Sequence, residues 1–358
     1  MSNTFSKKII DWYLLKGRSG LPWRNDITPY RIWISEVMLQ QTQVKTVIPY
    51  FNKFISKYPN IKSISKASEG DILALWSGLG FYRRAQNIFK AKEVISNDFG
   101  NIFPNKFEEI NSLPGVGKST AGAIMAIAYN QSYPILDANV KRVVSRYSGI
   151  SADSKSQLDK MLWLESAKLK PDSRIFEYTQ GIMDLGATVC SAKNADCNIC
   201  PLNKKCKSAF TIFKKEVAPS KSKQLKKEKM QFDLAFTAEK MLLIKRNEKR
   251  FWQSLWVPIE INNAIFIDHS KAKSIRKINL THKLSHLELL INISLLEYEQ
   301  PFDVKSNSEF CWINKKDIDN IGVPKPIKDI LLTKLFSLSY TYSLLLKEYF
   351  PPNFGSIR

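Results

Sequence analysis

Residues 1 to about 210 carry apolar side chains at three- and four-residue spacing. Ile9, Ile10, Tyr13 and Leu14 fall close to one face of a helix ending near Lys16. Thr28 followed by Pro29 reads as a cap with proline at the first helical position, and the helix then runs to about Gln41. Further helices are predicted near 43–57, 68–77, 83–97, 118–130 and 138–148. Short joins rich in Gly and Pro between them suggest an all-α bundle.

The pattern changes after Cys206. Lysine dominates 214–229, which reads as a basic linker. Short apolar runs follow at Phe232–Phe236, Met241–Ile244, Leu255–Ile259, Ile265–Ile267 and Leu287–Leu296, and these predict strands. A helix near 326–347 closes the chain. The expected organisation is a mostly α domain over 1–213, the linker 214–229, and a separate α+β domain over 230–348.

The chain has 358 residues, enough for two domains, each with its own core. With 44% hydrophobic residues it is globular rather than disordered. Lys and Arg number 54 against 33 Asp and Glu, a formal charge of +21. That surplus favours a polyanion: nucleic acid first, an anionic membrane second. No apolar run is long enough to span a bilayer, and the N-terminus lacks a signal-peptide core. A cytoplasmic protein with reduced thiols is expected.

Four of the five cysteines sit together as Cys190-x6-Cys197-x2-Cys200-x5-Cys206. Four thiolates so close in sequence can wrap one metal centre, and all-sulfur ligation suits either zinc or an iron–sulfur cluster. Zinc ribbons ordinarily use two CxxC knuckles; this loop has one. Lys193, Lys204, Lys205 and Lys207 add positive charge suited to phosphates. Cys311 stands alone and is expected to be a buried apolar residue.

Leu113-Pro114-Gly115-Val116-Gly117-Lys118 precedes an apolar helix. Two glycines allow close backbone approach, and a helix N-terminus offers free amides to an anion. The segment reads as a phosphate cradle, with an ordinary tight turn before a helix as the plain alternative. Glu36 lies on a helix among bulky apolar residues, where desolvation raises a carboxyl pKa. Asp137 lies at a helix start, where the N-terminus and polar neighbours are expected to keep it ionised. One acid and one anion suit glycoside cleavage. Each has a plain alternative: an ion-paired surface glutamate and a simple N-cap.

Company decides between these readings. The segments Leu21-Pro22-Trp23-Arg24, Ser35-Glu36-Val37-Met38-Leu39-Gln40-Gln41-Thr42 and Gly78-Leu79-Gly80-Phe81-Tyr82, the Leu113–Gly117 hairpin, Leu136-Asp137-Ala138-Asn139 and the cysteine spacing together resemble the MutY family. These are adenine DNA glycosylases of the helix-hairpin-helix, endonuclease III-like superfamily. The resemblance covers essentially the whole chain. It implies a helix-hairpin-helix glycosylase domain with a [4Fe–4S] loop at 190–206, followed by a Nudix-like α+β domain. No glutamate-rich Nudix box is present, so the second domain is expected to bind rather than hydrolyse.

By the same resemblance, Glu36 protonates adenine N7 and Asp137 stabilises the oxocarbenium-like sugar. Asn139 helps hold Asp137 and the sugar. Arg24 and Gln180 lie against the flipped adenine, and Gln41 plugs the gap left in the duplex. Gly115, Val116, Gly117 and Lys118 hold the DNA backbone, and the four cysteines hold the cluster. Bifunctional relatives carry a lysine nucleophile just after the hairpin. Ser119 occupies that position here, and Lys118 is one residue early, so a monofunctional glycosylase is expected. Phe81 and Tyr82 are expected beside the lesion, with Phe81 as the wedge. Leu284, Ser285 and His286, in Thr281–Leu287, are expected as a loop reading 8-oxoguanine. Phe81 and Leu284 both depart from the family pattern, which has Tyr and Phe there. The implied partner is duplex DNA with adenine opposite 8-oxoguanine or guanine. The implied setting is a bacterial cytoplasm, where the protein is a monomer associated with the nucleoid through DNA.

Overall fold

A computed structural model of the chain describes residues 4–211, 225–261, 267–303 and 309–335. The helices are α1 (Thr4–Lys16), α2 (Pro29–Leu39), α3 (Val44–Lys57), α4 (Ile61–Ile64), α5 (Glu69–Trp76), α6 (Arg83–Phe99), α7 (Phe107–Ser112), α8 (Lys118–Ala128), α9 (Ala138–Ser148), α10 (Lys155–Leu169), α11 (Ile175–Thr188) and α12 (Lys325–Ile330). The strands are β1 (Lys226–Phe236), β2 (Lys240–Lys245), β3 (Trp256–Val257), β4 (Ile259–Glu260), β5 (Ser274–Lys283), β6 (Leu287–Glu297) and β7 (Phe310–Asn314). The chain divides into two compact units. One comprises 1–67 and 86–223; the other comprises 68–85 and 224–358. None of the described helices is long and apolar enough to cross a membrane.

The first unit is helical. Its core is aromatic and aliphatic: Trp33, Phe51, Phe54 and Ile124 are all but inaccessible. Truncating such a side chain to Ala costs about 3–5 kcal/mol through lost burial and the cavity left behind. The Thr28–Pro29 start is formed as its chemistry suggests, with the Thr28 hydroxyl accepting from the Arg31 amide at 3.2 Å. Two long helices, α10 and α11, lack a clear apolar stripe. Buried Thr179, Gln180, Asp184 and Gly186 interrupt the apolar pattern of α11.

The second unit is α+β. Its sheet runs β3-β2-β1-β6-β5, with β4 also paired to β1 and β7 to β2. β1 and β6 are parallel, with Phe232 opposite Ile293. β5 and β6 form an antiparallel hairpin, with Thr281 opposite Leu290. Lys226–Lys229, expected in the linker, belong to β1, because their backbones pair with Leu287–Leu290; the linker residues 214–224 lie outside the described residues. Of the strand expected at 265–267, only Ile267 is described, and it is buried outside any strand. The closing helix is α12, followed by a wider turn to Leu335; 336–347 lie outside the described residues. Cys311 is exposed on β7, not buried.

Candidate active site

Glu36 lies on α2 among the buried residues Trp33, Val37 and Met38, while Glu36 itself keeps an opening to solvent. Burial of its carboxyl, and then the charge of Asp137, push its pKa up to about 7, against a smaller opposing pull from Arg24. A carboxylic acid in that range holds a proton it can release near neutral pH.

Asp137 caps α9. Its carboxylate accepts from the Val140 amide at 2.8 Å and from Asn139 Nδ2 at 3.2 Å. Burial nevertheless raises its pKa, outweighing these hydrogen bonds and the Arg142 charge. The expectation that the helix terminus simply keeps Asp137 ionised is therefore corrected: the two carboxyl groups are shifted in the same direction. They differ in their partners, since Asp137 has fixed donors that favour its anion.

The approach to Asp137 is held on both sides. Ser119 Oγ accepts from the Leu136 amide at 2.9 Å, and Ser166 Oγ donates to the Ile135 carbonyl at 2.8 Å. Ser119 thus braces the loop ahead of Asp137. Lys118 points elsewhere, with its ammonium 4.4 Å from the centre of the Trp163 ring. In the hairpin, Gly115 takes a left-handed φ of +80° and lies so close to α6 that an added Cβ would sit 2.7 Å from Asn87 Cβ. Val116 is buried in the turn, and Gly117 caps α8 with open space around it. Gln40 Nε2 reaches the Gly115 carbonyl at 3.3 Å, and neighbouring Gln41 is exposed with a φ of +57°.

Arg24 makes a two-pronged ion pair with Asp184, at 2.8 and 2.9 Å, and also donates to the Arg18 carbonyl. Its buried Nε has no hydrogen-bond partner among the described residues. Arg18 donates to the same carboxylate through its backbone and side chain. Burial alone would raise the pKa of Asp184, but Arg24 and then Arg18 hold it below the usual carboxylate range. Gln180, one turn earlier on α11, is buried.

Arg142 is a residue that motif reading missed. Its guanidinium donates to the Cys190 carbonyl at 2.7 Å, the Gly186 carbonyl at 2.6 Å and Asn139 Oδ1 at 2.9 Å. Asn139 in turn donates to Asp137, so a continuous run of hydrogen bonds joins the cysteine loop to the candidate site. Gly186 permits this approach: a Cβ there would lie 2.7 Å from Asn139 Cβ. One turn on, Arg146 donates to the Cys190 sulfur at 3.4 Å and to the Ser191 and Ala192 carbonyls. The signal in sequence was spacing: 139, 142 and 146 share one helix face. Asp184, an acid set among apolar residues in the second half of α11, was the other legible sign.

Cys190, Cys197, Cys200 and Cys206 line one pocket with Arg146 and Asn203. Among the described residues, no three His, Cys, Asp or Glu side chains converge on a single-ion site. In the second unit, Thr281–Lys283 belong to β5 rather than to a loop. Leu284–His286 form the turn into β6, closed by the Leu284 amide on the Leu287 carbonyl at 2.8 Å. Ser285 and His286 are exposed, their side chains 3.3 Å apart. Phe81 is 47% exposed, and Tyr82 is tied to backbone.

A helical unit with a glycine hairpin, two paired carboxyl groups and a four-cysteine pocket defines a DNA base-excision protein. The HhH-GPD superfamily of base excision DNA repair proteins matches residues 34–167. An adenine DNA glycosylase from Buchnera aphidicola subsp. Schizaphis graminum is 38% identical over 342 residues, covering 91% of this chain and 97% of that protein. One from Buchnera aphidicola subsp. Acyrthosiphon pisum is 41% identical over 340 residues, covering 91% and 96%. The structure of a thermostable thymine-DNA glycosylase aligns with a TM-score of 0.52 at 29% identity, covering 57% of this chain and 94% of that one. The chain belongs to the adenine DNA glycosylases of base excision repair and is a DNA N-glycosylase.

Proposed function

We propose that the enzyme removes adenine lying opposite 8-oxoguanine or guanine in duplex DNA, by hydrolysis alone and without strand cleavage. The observation that carries this reading is the Glu36–Asp137 pair: a carboxyl raised to about 7 beside a second carboxyl that two donors hold in place. Glu36 gives its proton to adenine N7, which turns the base into a neutral leaving group. Asp137 stabilises the positive charge that grows on the sugar and steers water to the anomeric carbon. Asn139 fixes Asp137 and the sugar. Arg24 and Gln180 line the pocket for the flipped base, and Gln41 fills the space it vacates.

Ser119 supports the monofunctional reading, because an alcohol, unlike the primary amine of lysine, forms no Schiff base. Gly115, Val116, Gly117 and Lys118 grip the backbone. Phe81 wedges beside the lesion, with Tyr82 behind it, and Leu284, Ser285 and His286 read the lesion from a Nudix-like domain that binds without hydrolysing. The helical unit carries the chemistry, and the unit that holds residues 68–85 and begins its sheet at Lys226 carries recognition.

The four thiols line one pocket, and their all-sulfur set suits a [4Fe–4S] cluster. Cys190, Cys197, Cys200 and Cys206 would hold the cluster, and their ligation would staple the 190–206 loop. An absorbance band near 400 nm, as an approximate position for iron–sulfur charge transfer, separates it from zinc.

The test is a substrate panel with wild type and Glu36→Gln. Wild type should release adenine from A:8-oxoguanine and A:G duplexes, and Glu36→Gln should bind both without release. Release of thymine glycol in place of adenine, or full activity in Glu36→Gln, refutes the assignment.

A further inference from the structure

The Phe81 loop belongs to the compact unit that contains the C-terminal residues, although the chain reaches it between two helices of the N-terminal half. Three of its residues have positive φ: Gly78 at +99°, Gly80 at +80° and Phe81 at +50°. A bulky non-glycine residue in that region is strained, and it persists only where its surroundings over-determine it. The anchors come in two sets.

The first set is local. Trp76 Nε1 and Arg84 Nη2 both donate to the Gly80 carbonyl at 3.0 Å, and the Arg84 guanidinium lies over the Trp76 and Phe81 rings. The second set is a single distant atom. The Val323 carbonyl accepts from Ser77 Oγ at 3.0 Å and from the Tyr82 hydroxyl at 3.1 Å. The Tyr82 hydroxyl also accepts from the Gly78 amide at 3.2 Å. Both ends of the loop therefore meet at one buried carbonyl.

Val323 is inaccessible to solvent, and its neighbour Gly322 is wedged in place. A Cβ on Gly322 would lie 2.8 Å from Leu73 Cβ and 3.1 Å from Leu255 Cδ2. The Gly322 carbonyl accepts from the Trp256 amide of β3 at 2.8 Å, which roots the segment in the sheet.

We propose that Gly322-Val323 is a clamp that sets the shape of the 77–82 loop, with Ser77 and Tyr82 as its positioning residues, so that the wedge Phe81 is presented by the C-terminal unit. The inference rests on the wedge reading of Phe81 given above. A loop pinned at both ends inserts Phe81 without first ordering itself, whereas a freed loop loses that advantage. The clamp touches no reacting atom, so it acts on lesion discrimination and not on the chemical step.

The experiment uses the full-length holoenzyme and duplexes with 2-aminopurine stacked next to the lesion. Wild type, Phe81→Ala, Ser77→Ala and Gly322→Ala are compared for 2-aminopurine emission and for the binding ratio of 8-oxoguanine over guanine opposite an uncleavable adenine analogue. Ser77→Ala and Gly322→Ala should shift the emission towards that of Phe81→Ala and lower the ratio about fivefold, the scale of one lost buried hydrogen bond. Ser77→Ala removes only one oxygen, so it remains informative if Gly322→Ala fails to fold, and melting curves identify that case. If Phe81→Ala alters both readouts and Ser77→Ala alters neither, the clamp is refuted and the wedge reading stands. If Phe81→Ala alters neither, the wedge reading falls and the clamp with it.

Discussion

The Glu36–Asp137 site and the Leu284–His286 turn are built in opposite ways. The first stands on helices, with Asp137 held through its own cap, through Asn139 and, behind Asn139, through Arg142. The second is the tip of a hairpin whose Ser285 and His286 face solvent. Acid chemistry needs a desolvated carboxyl and donors already in place, because reorganisation during the reaction would add to the barrier. A surface that reads a base needs free donors and acceptors instead, and it reaches its final geometry on binding. The difference predicts that perturbing the first site costs rate, and perturbing the second costs selectivity.

The largest expected effect is that of Asp137→Asn. Asn caps a helix about as well as Asp, so the Val140 bond and the fold should survive. The charge opposite the developing cation is lost, and single-turnover adenine release should fall about 10³-fold with little change in Tm. A comparable rate would show that Asp137 serves only as a cap.

Arg142→Ala comes next. It cuts the hydrogen bonds among Cys190, Gly186 and Asn139, and misplacement of Asp137 should slow release about 10²-fold. Here Tm should fall as well, because three partly buried carbonyl or amide oxygens lose a charged donor. A variant with normal rate and lowered Tm would make Arg142 a purely structural strut.

Titration sharpens the same contrast. Glu36 is protonated below about 7, so release limited by chemistry should decline as pH rises through that value. Its pKa in the folded state lies above its unfolded value, so the fold loses stability as pH rises above the unfolded pKa, and the loss is complete once pH passes 7. Glu36→Gln removes the ionisation and should be the more stable protein at pH 8, by on the order of 2 kcal/mol after discounting for its solvent opening. The two should converge near pH 4, and urea titrations at both pH values measure the difference. Equal stabilities at pH 8 would mean that the carboxyl is not desolvated.

The smallest effect belongs to the turn. Ser285→Ala and His286→Ala should leave Tm and the rate on A:G unchanged, and lower the preference for A:8-oxoguanine by about threefold to tenfold. Loss of stability would show that the turn braces the hairpin instead of reading DNA.

Much of this was legible along the chain. Thr28-Pro29 announced α2 because a cap and a pre-set φ act within one turn. The cysteine spacing announced a shared pocket because seventeen consecutive residues can bring four thiols together without help from the rest of the fold. β5 was missed because an edge strand rich in Lys, Arg and Asn buries few of its side chains. α11 was missed because buried polar residues break its apolar pattern, and its Asp184 answers to Arg18 and Arg24, far away in sequence.

Glu36 draws both lessons together. Its place on an apolar helix, and the motif around it, are properties of the sequence, because helical periodicity is local. Its proton affinity is not: it depends on Asp137 and Arg24, which approach it only in the folded chain. The same division holds at Phe81. The glycines that let its loop turn are written into the sequence, but the atom that pins both ends of that loop is a carbonyl 241 residues from Tyr82. Backbone carbonyls are alike in every residue, so only tertiary structure decides which of them a side chain will meet.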